Sequence, residues 1–355
     1  MAVLRFIFAL GYTVVAAEMY LRVLAPVELL PRHVCATEYG IRGNKPSLSY
    51  WHTTRDYRIN IRTNSKGLRS DEEVDYAKPA GLKRIILLGD SFGMGYGVSL
   101  EEMYLTRLHA LLQEAGVQNQ VINLSVSGHG NAEELIALRE EGMKYRPDLV
   151  IVGWHGSDLE DNVRSDLFRL EGGRLAQAHS TYLPAVEIRE KLDRLPLYRW
   201  MESHCHLYGL VREKAGASVK RLLAKARSVR GTSQADSAQV REQRLQYERE
   251  LCLVLLKEME HLCSDRGTEF LVMNTPMWRG RGEFRSLFPL PDEEAKSRFH
   301  YYCPISDFKQ HPGQILYWER SDCHYSPVGC RIVADGLAKF ILGHGLLSGP
   351  KRDVE

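Results

Sequence analysis

The sequence predicts an α/β fold built on a parallel β-sheet. Strand-like runs at 84–88, 120–124, 149–152 and 269–274 alternate with helical periods. The first and third runs, Arg84–Leu88 and Leu149–Val152, are nearly continuous aliphatic stretches, the pattern of strands buried on both faces. Strand–helix–strand–helix–strand order requires crossovers, which are right-handed and make the sheet parallel.

Along the chain, Met1–Arg5 carries one side-chain positive charge and Phe6–Ala17 is uncharged and mostly apolar. Glu18 and Arg22 interrupt this run and Pro26 ends it. The uncharged stretch is shorter than the roughly 20 residues of a spanning helix. Residues 1–26 therefore read as a signal peptide, with Val15-Ala16-Ala17 as the small-residue cleavage pattern, or as a signal anchor with Glu18 and Arg22 at the outer interface. Either reading predicts export, with the remainder anchored outside the cytoplasm or released as a secreted or periplasmic protein. Residues 27–80 are rich in turn formers, with short β-like pieces such as Tyr57–Ile61, and read as a connecting region closed by Lys78-Pro79-Ala80-Gly81.

The domain proper spans 81–345. Its first strand ends in Gly89, and a helix over 101–115 places Leu105, Leu108, Leu111 and Leu112 on one face. The strand at 120–124 leads to Ser127-Gly128-His129-Gly130, and a second helix covers 132–145. After the strand at 149–152 the rhythm lapses from 165 to 238, which reads as a largely helical insertion placed to cover the site. It returns with a long helix at 239–266, a strand at 269–274, a short strand within 301–307 and a last helix at 327–342.

Ser91, in Gly89-Asp90-Ser91-Phe92, sits at the carboxyl end of the first strand, where open α/β sheets bind ligands. A serine there that leads into a helix lies beside unsatisfied N–H groups suited to an oxyanion. Its hydroxyl needs a base. Ser321-Asp322-Cys323-His324 supplies a histidine and a carboxylate from one loop before the last helix, with Asp322 able to orient His324.

These blocks resemble the GDSL-type esterases, or SGNH hydrolases. Gly89-Asp90-Ser91-Phe92 matches their first block, and Gly128 their second. Trp154-His155-Gly156-Ser157-Asp158 stands at their third, and Asp322 with His324 at their last. The blocks span 84–343 in the family's order. The resemblance implies a flavodoxin-like three-layer α/β/α architecture with a central parallel sheet. It also implies a serine esterase or acyl-transfer mechanism with Ser91, His324 and Asp322 as catalytic residues. The oxyanion hole would be the N–H groups of Ser91 and Gly128, completed from the third block. The family's asparagine there falls on Ser157, a shorter donor, with His155 and Asn162 nearby. The implied substrate is an ester, small or carried on an exported polysaccharide. The resemblance further extends to exported, membrane-anchored members through Asn64-Ser65-Lys66-Gly67-Leu68-Arg69. A non-catalytic binding or polysaccharide-assembly protein on the same fold is the alternative that Ser157 raises.

Other classes fit less well. A net charge of +2 without a lysine–arginine stripe gives no reason to expect nucleic acid as a partner. The seven cysteines are scattered without a C-x-x-C pair, so no zinc site is expected, and the esterase mechanism that the resemblance implies requires no metal or organic cofactor. In an exported chain, Cys303, Cys323 and Cys330 are near enough in sequence to form a disulfide, whereas Cys252 and Cys263 read as buried helix thiols. Gly93-Met94-Gly95-Tyr96-Gly97 departs from the dinucleotide-binding spacing. Gly89-x-Ser91-x-Gly93 fits the nucleophile elbow of α/β-hydrolases, but the closeness of Asp322 and His324 does not.

Overall fold

A computed structural model describes residues 1–25, 27, 29, 33–212, 214, 237–280, 282–321 and 323–348. Pro26, Asp322 and most of the segment 213–236 lie outside the described residues. Helix α1 (Ala2–Leu24) is followed by two antiparallel hairpins, β1 (Val34–Ala36) with β2 (Arg42–Asn44) and β3 (Ser49–Thr53) with β4 (Arg58–Arg62). Then come β5 (Lys83–Gly89), α2 (Tyr104–Glu114), β6 (Asn119–Asn123), α3 (Asn131–Glu140), β7 (Leu149–His155) and α4 (Asp158–Ser165). The insertion opens with a hairpin, β8 (Phe168–Glu171) and β9 (Arg174–Gln177), and continues as α5 (Val186–Asp193) and α6 (Pro196–His204). The chain closes with α7 (Ser237–Ser264), β10 (Glu269–Thr275), the short pair β11 (Met277–Trp278) and β12 (Phe284–Arg285), α8 (Asp292–Arg298), β13 (His300–Tyr302), α9 (Ile305–Lys309) and α10 (Pro327–Gly343).

The central sheet runs β13-β10-β7-β5-β6, with every pair parallel. Numbered by their own succession these strands lie in the order 2-1-3-4-5, the flavodoxin-like arrangement, whose switch point falls between β5 and β7. Alternate strand residues feed two separate cores. Ile85, Leu87, Ile151 and Leu271 meet Leu105, Leu108 and Leu112 of α2 and Val333, Leu337 and Ile341 of α10. Ile86, Leu88, Val150 and Val272 meet Leu135 of α3 and Leu255 and Met259 of α7. The result is a three-layer α/β/α fold.

Several expectations are adjusted. The strand sought within 301–307 shortens to β13, because Pro304, which has no N–H to give a ladder, stands as the N-cap of α9. The insertion is part hairpin, and its described hydrogen bonds reach toward β1 and α1: Glu190 accepts from the Ala36 N–H at 2.8 Å, and Glu18 from the His206 N–H at 3.0 Å. That places its described part as a brace on the N-terminal elements and not as a cover over the site. No disulfide joins the described cysteines, so Cys303, Cys323 and Cys330 are not bridged; Cys252 and Cys263 are buried on α7 as expected.

The region 34–69 does more than connect. Tyr50, Ile59 and Ile61 of the β3–β4 hairpin form a third small core with Met94 and Tyr96, which follow Ser91. Arg69, fully buried, donates to the carbonyls of Met94 (2.7 Å), Gly95 (2.6 Å) and Val98 (2.7 Å). Three carbonyl dipoles thus replace the water its cation gives up. Arg69→Leu strands those three acceptors, so we expect a loss of about 3–5 kcal/mol in unfolding free energy, read as an earlier urea midpoint of the full chain in detergent.

Candidate active site

Ser91 leaves β5 two residues after Gly89. It opens a series of turns, not the helix expected there: the first helical turn is the 3₁₀ segment Leu100–Glu102. Met94 N–H donates to Asp90 O (2.9 Å) and Tyr96 N–H to Ser91 O (3.0 Å), which curls the chain back on itself. Gly93 is required by close approach, because a Cβ there would collide with the Ser125 hydroxyl. The same glycine's carbonyl accepts from Asn123 Nδ2 at 2.8 Å, which ties the Ser91 turn to the end of β6.

Gly128 lies in the loop after β6. His129 N–H donates to Val126 O (3.0 Å), closing a turn in which Gly128 has φ +78°, the value a type II turn needs at its third residue. The β1–β2 hairpin holds this loop from outside. Arg42 donates to Gly128 O and pairs with Glu133 at 3.0 Å, and Asn44 Nδ2 donates to Ser125 O at 3.1 Å. Among the described residues, neither the Ser91 nor the Gly128 N–H finds a hydrogen-bond acceptor.

His324 comes from the loop before α10. Ser326 caps that helix, accepting from Gly329 N–H at 3.1 Å, and Pro327 opens it. Trp318 N–H donates to His324 O (2.9 Å), and Asp56, at the tip of the β3–β4 hairpin, accepts from Arg320 N–H (2.8 Å) and Ser321 Oγ (3.0 Å). The buried imidazole lies 4.6 Å from the Phe92 ring and 5.5 Å from that of Tyr96, centroid to centroid. Its Nε2 is 2.6 Å from Ser91 Oγ. The fold thus brings together two residues 233 positions apart in hydrogen-bond contact. A hydroxyl so placed can pass its proton to the imidazole and attack an electrophilic carbon.

In the third block, Ser157 Oγ is 2.9 Å from His155 Nδ1, and the Ser157 N–H also points to that nitrogen at 3.3 Å. Two donors on Nδ1 assign the ring proton to Nε2. Burial pushes the His155 pKa down, against the charge of Asp90 at 3.6 Å, so the ring is neutral. Asn162 is spent elsewhere: Oδ1 accepts from Ala132 N–H (3.0 Å) and Nδ2 donates to Asn131 (3.3 Å).

Buried carboxyls lie behind the β7 end. Asp158 accepts from the His155 N–H (3.0 Å) and from Asn131 Nδ2 (3.3 Å), and Asn131 also donates to Glu134 (2.9 Å). Burial, then Glu134 and Asp90, pushes Asp158 well up. Burial drives Glu134 up to about 8, aided by the charges of Asp90 and Glu133 and opposed by the Asn131 amide. Among the described residues, no group of three or more histidine, cysteine, aspartate or glutamate side chains is arranged to hold a metal ion.

Three solved structures resemble this one, each at low identity. They are a family 3 carbohydrate esterase of Clostridium thermocellum (12% identity, TM-score 0.39, covering 75% of this chain and 98% of that one), a lipase/acylhydrolase of Enterococcus faecalis (14%, 0.39, 74% and 96%) and TesA (11%, 0.39, 75% and 100%). The chain is similar in fold to GDSL-type esterases and acylhydrolases. No protein-family model matches the sequence, and no curated protein matches it.

The sequence pointed to Ser91, Gly128 and His324, which lie at the end of β5, the loop after β6 and the loop before α10. Arg42, Asn44 and Asp56, which position them, were not anticipated; Arg69 was visible only as the end of the Asn64–Arg69 stretch.

Because Glu134 is protonated in the fold at neutral pH, its contribution to stability is complete below its unfolded pKa near 4.5 and is lost as pH rises through about 8. Glu134→Gln keeps an acceptor for Asn131 without the ionisation. Its stability relative to wild type should therefore rise between pH 5 and pH 8, measured as the difference in unfolding midpoints across that range.

Proposed function

We propose that the chain is an SGNH-type serine esterase, with Ser91 as nucleophile and His324 as its base. The observation that carries this reading is the 2.6 Å contact between Ser91 Oγ and His324 Nε2 at the sheet's switch point. His324 takes the hydroxyl proton as Ser91 attacks an ester carbonyl, and Asp322 orients the imidazole. Collapse of the tetrahedral intermediate, with His324 returning the proton to the leaving alcohol, gives an acyl-enzyme. Water, activated by the same histidine, releases the acid; an alcohol acceptor in its place gives acyl transfer. The Ser91 and Gly128 N–H groups hold the oxyanion.

The third oxyanion donor is the His155–Ser157 pair. The Ser157 hydroxyl is occupied by His155 Nδ1, so the donor the pair offers is the neutral ring's Nε2–H. This replaces the asparagine amide with an imidazole held in one tautomer.

The reading further places the catalytic domain outside the cytoplasm, tethered by α1. That helix has a mean hydropathy of 1.6 and its apolar window is 0% buried. Glu18, which would become the first residue after cleavage at Ala17, is bound by the insertion through the His206 and Leu207 N–H groups, which favours an uncleaved anchor. An ester on a cell-surface or exported polysaccharide is the substrate class that suits such a placement.

Hydrolysis of p-nitrophenyl acetate, butyrate and octanoate tests the assignment. Ser91→Ala and His324→Ala should each lower kcat by about 10³-fold or more, and Ser91→Ala should abolish labelling by a fluorophosphonate probe. Equal turnover by all three proteins would overturn it, and absence of labelling in wild type would favour the binding-protein alternative. Within the same assay His155→Ala should cost about 10²-fold in kcat and Ser157→Ala less, since the second loses only the hydroxyl that fixes the tautomer. The reverse ranking would return the donor role to Ser157.

A further inference from the structure

Among the described residues, nothing covers the apolar outward faces of α5 and α6. Ile188 and Leu192 lie four residues apart on α5, and Leu197 and Trp200 three apart on α6, so each pair shares a face, with Leu195 at the joint between the helices. Leu197 is 67% exposed and Trp200 54%.

The patch stands next to α1. Arg22 of α1 donates to His204 O at the end of α6 (2.6 Å), and Glu18 accepts from the N–H groups of His206 (3.0 Å) and Leu207 (2.7 Å) at the start of the next helical segment. Glu18 and Arg22 are the polar end of α1, the level at which an anchor leaves the bilayer. Trp200 is one helical turn from this contact, with its ring stacked on that of His204 at 5.8 Å.

The charges are sorted by face. Glu190 turns inward to the Ala36 N–H (2.8 Å), Asp193 to Lys45 Nζ (2.6 Å) and buried Glu202 to Arg212 (3.0 Å). Arg189, Lys191, Arg194 and Arg199 are left exposed around the apolar side chains, with Glu187 the one exposed acid in 186–204. Apolar and aromatic residues ringed by cations suit the headgroup region of an anionic membrane, where tryptophan is favoured and lysine and arginine meet lipid phosphate.

We propose that α5 and α6 form a membrane-surface platform that rests on anionic phospholipid beside α1, with Leu195, Leu197 and Trp200 sunk to headgroup depth. The proposal rests on the reading of α1 as an uncleaved anchor.

Full-length protein reconstituted into vesicles of phosphatidylcholine and phosphatidylglycerol (3:1) tests both in separate arms. Flotation with the vesicles reports the anchor. Quenching of tryptophan fluorescence by lipids carrying a doxyl label at carbon 5 or carbon 12 reports the platform. Trp200 is one of five tryptophans. Wild type should lose roughly a fifth of its signal to the shallow label and less to the deep one, as interfacial tryptophan does. Trp200→Phe should lose that component with an unchanged circular-dichroism melting midpoint. Arg194→Glu with Arg199→Glu should float as wild type does but show less than half of its shallow quenching. Flotation with quenching identical in wild type and Trp200→Phe would overturn the platform alone and leave the patch to a protein partner. Failure of wild type to float would overturn the anchor reading and the platform with it.

Discussion

The geometry around Ser91 depends on how the segment 34–69 grips three loops at once. A parallel sheet fixes where its strands end, but the loops beyond those ends run over the surface and need partners of their own. Here β1–β2 holds the Gly128 loop through Arg42 and Asn44. The third core and Arg69 hold the turns after Ser91. Asp56, between β3 and β4, holds Arg320 and Ser321 just before His324. Two of these grips are arginines bonded to backbone carbonyls, with one guanidinium fixing several peptide groups. The Ser91–His324 contact is thus a property of the α/β domain and the N-terminal hairpins together.

That division explains what the sequence made legible. Strands β5 and β7 are buried on both faces and announce themselves as unbroken aliphatic runs, and the handedness of crossovers supplies the sheet's parallel order. Ser91, Gly128 and His324 are readable because strand ends and short motifs mark them. The grips leave no such trace. Arg42 and Gly128 are 86 positions apart, and a side chain donating to a carbonyl imposes no residue type on its acceptor, so neither periodicity nor spacing betrays the pair. The same holds for Ser157: its sequence position suggests a hydroxyl facing the substrate, while its actual partner is set by the rotamer of His155 two residues earlier.

The buried acids behind β7 show a cost that goes with this design. Asp158 spends one carboxylate oxygen on the His155 N–H and on Asn131, which fixes the backbone at the end of β7 where the third block begins. Burial of both carboxyls, with the charge of Asp90 beside them, raises Asp158 and Glu134, so the position is stable only while protons are retained. The arrangement exchanges stability at high pH for a fixed His155 backbone, a common compromise where function demands buried polar groups.

The insertion acts at a different level. Its links run from α1 through Arg22 to the end of α6 and through Glu18 to the helical segment that follows it, and from α5 through Glu190 and the Lys45–Asp193 pair to β1 and the residue next to Asn44. Few of these groups are fully buried, and ion pairs with solvent access contribute on the order of 1 kcal/mol or less. Such links are too weak to shape the Ser91–His324 contact, which Arg42, Arg69 and the third core already determine. On the proposed reading of α1 as an anchor, they are strong enough, in sum, to bias the orientation of the domain, because a tether makes the second contact intramolecular and so needs little energy to hold it. The chemistry and the address of the site are therefore separable. On the proposed function, loosening the insertion should change which surface esters reach Ser91 far more than how fast a soluble ester is cleaved once bound.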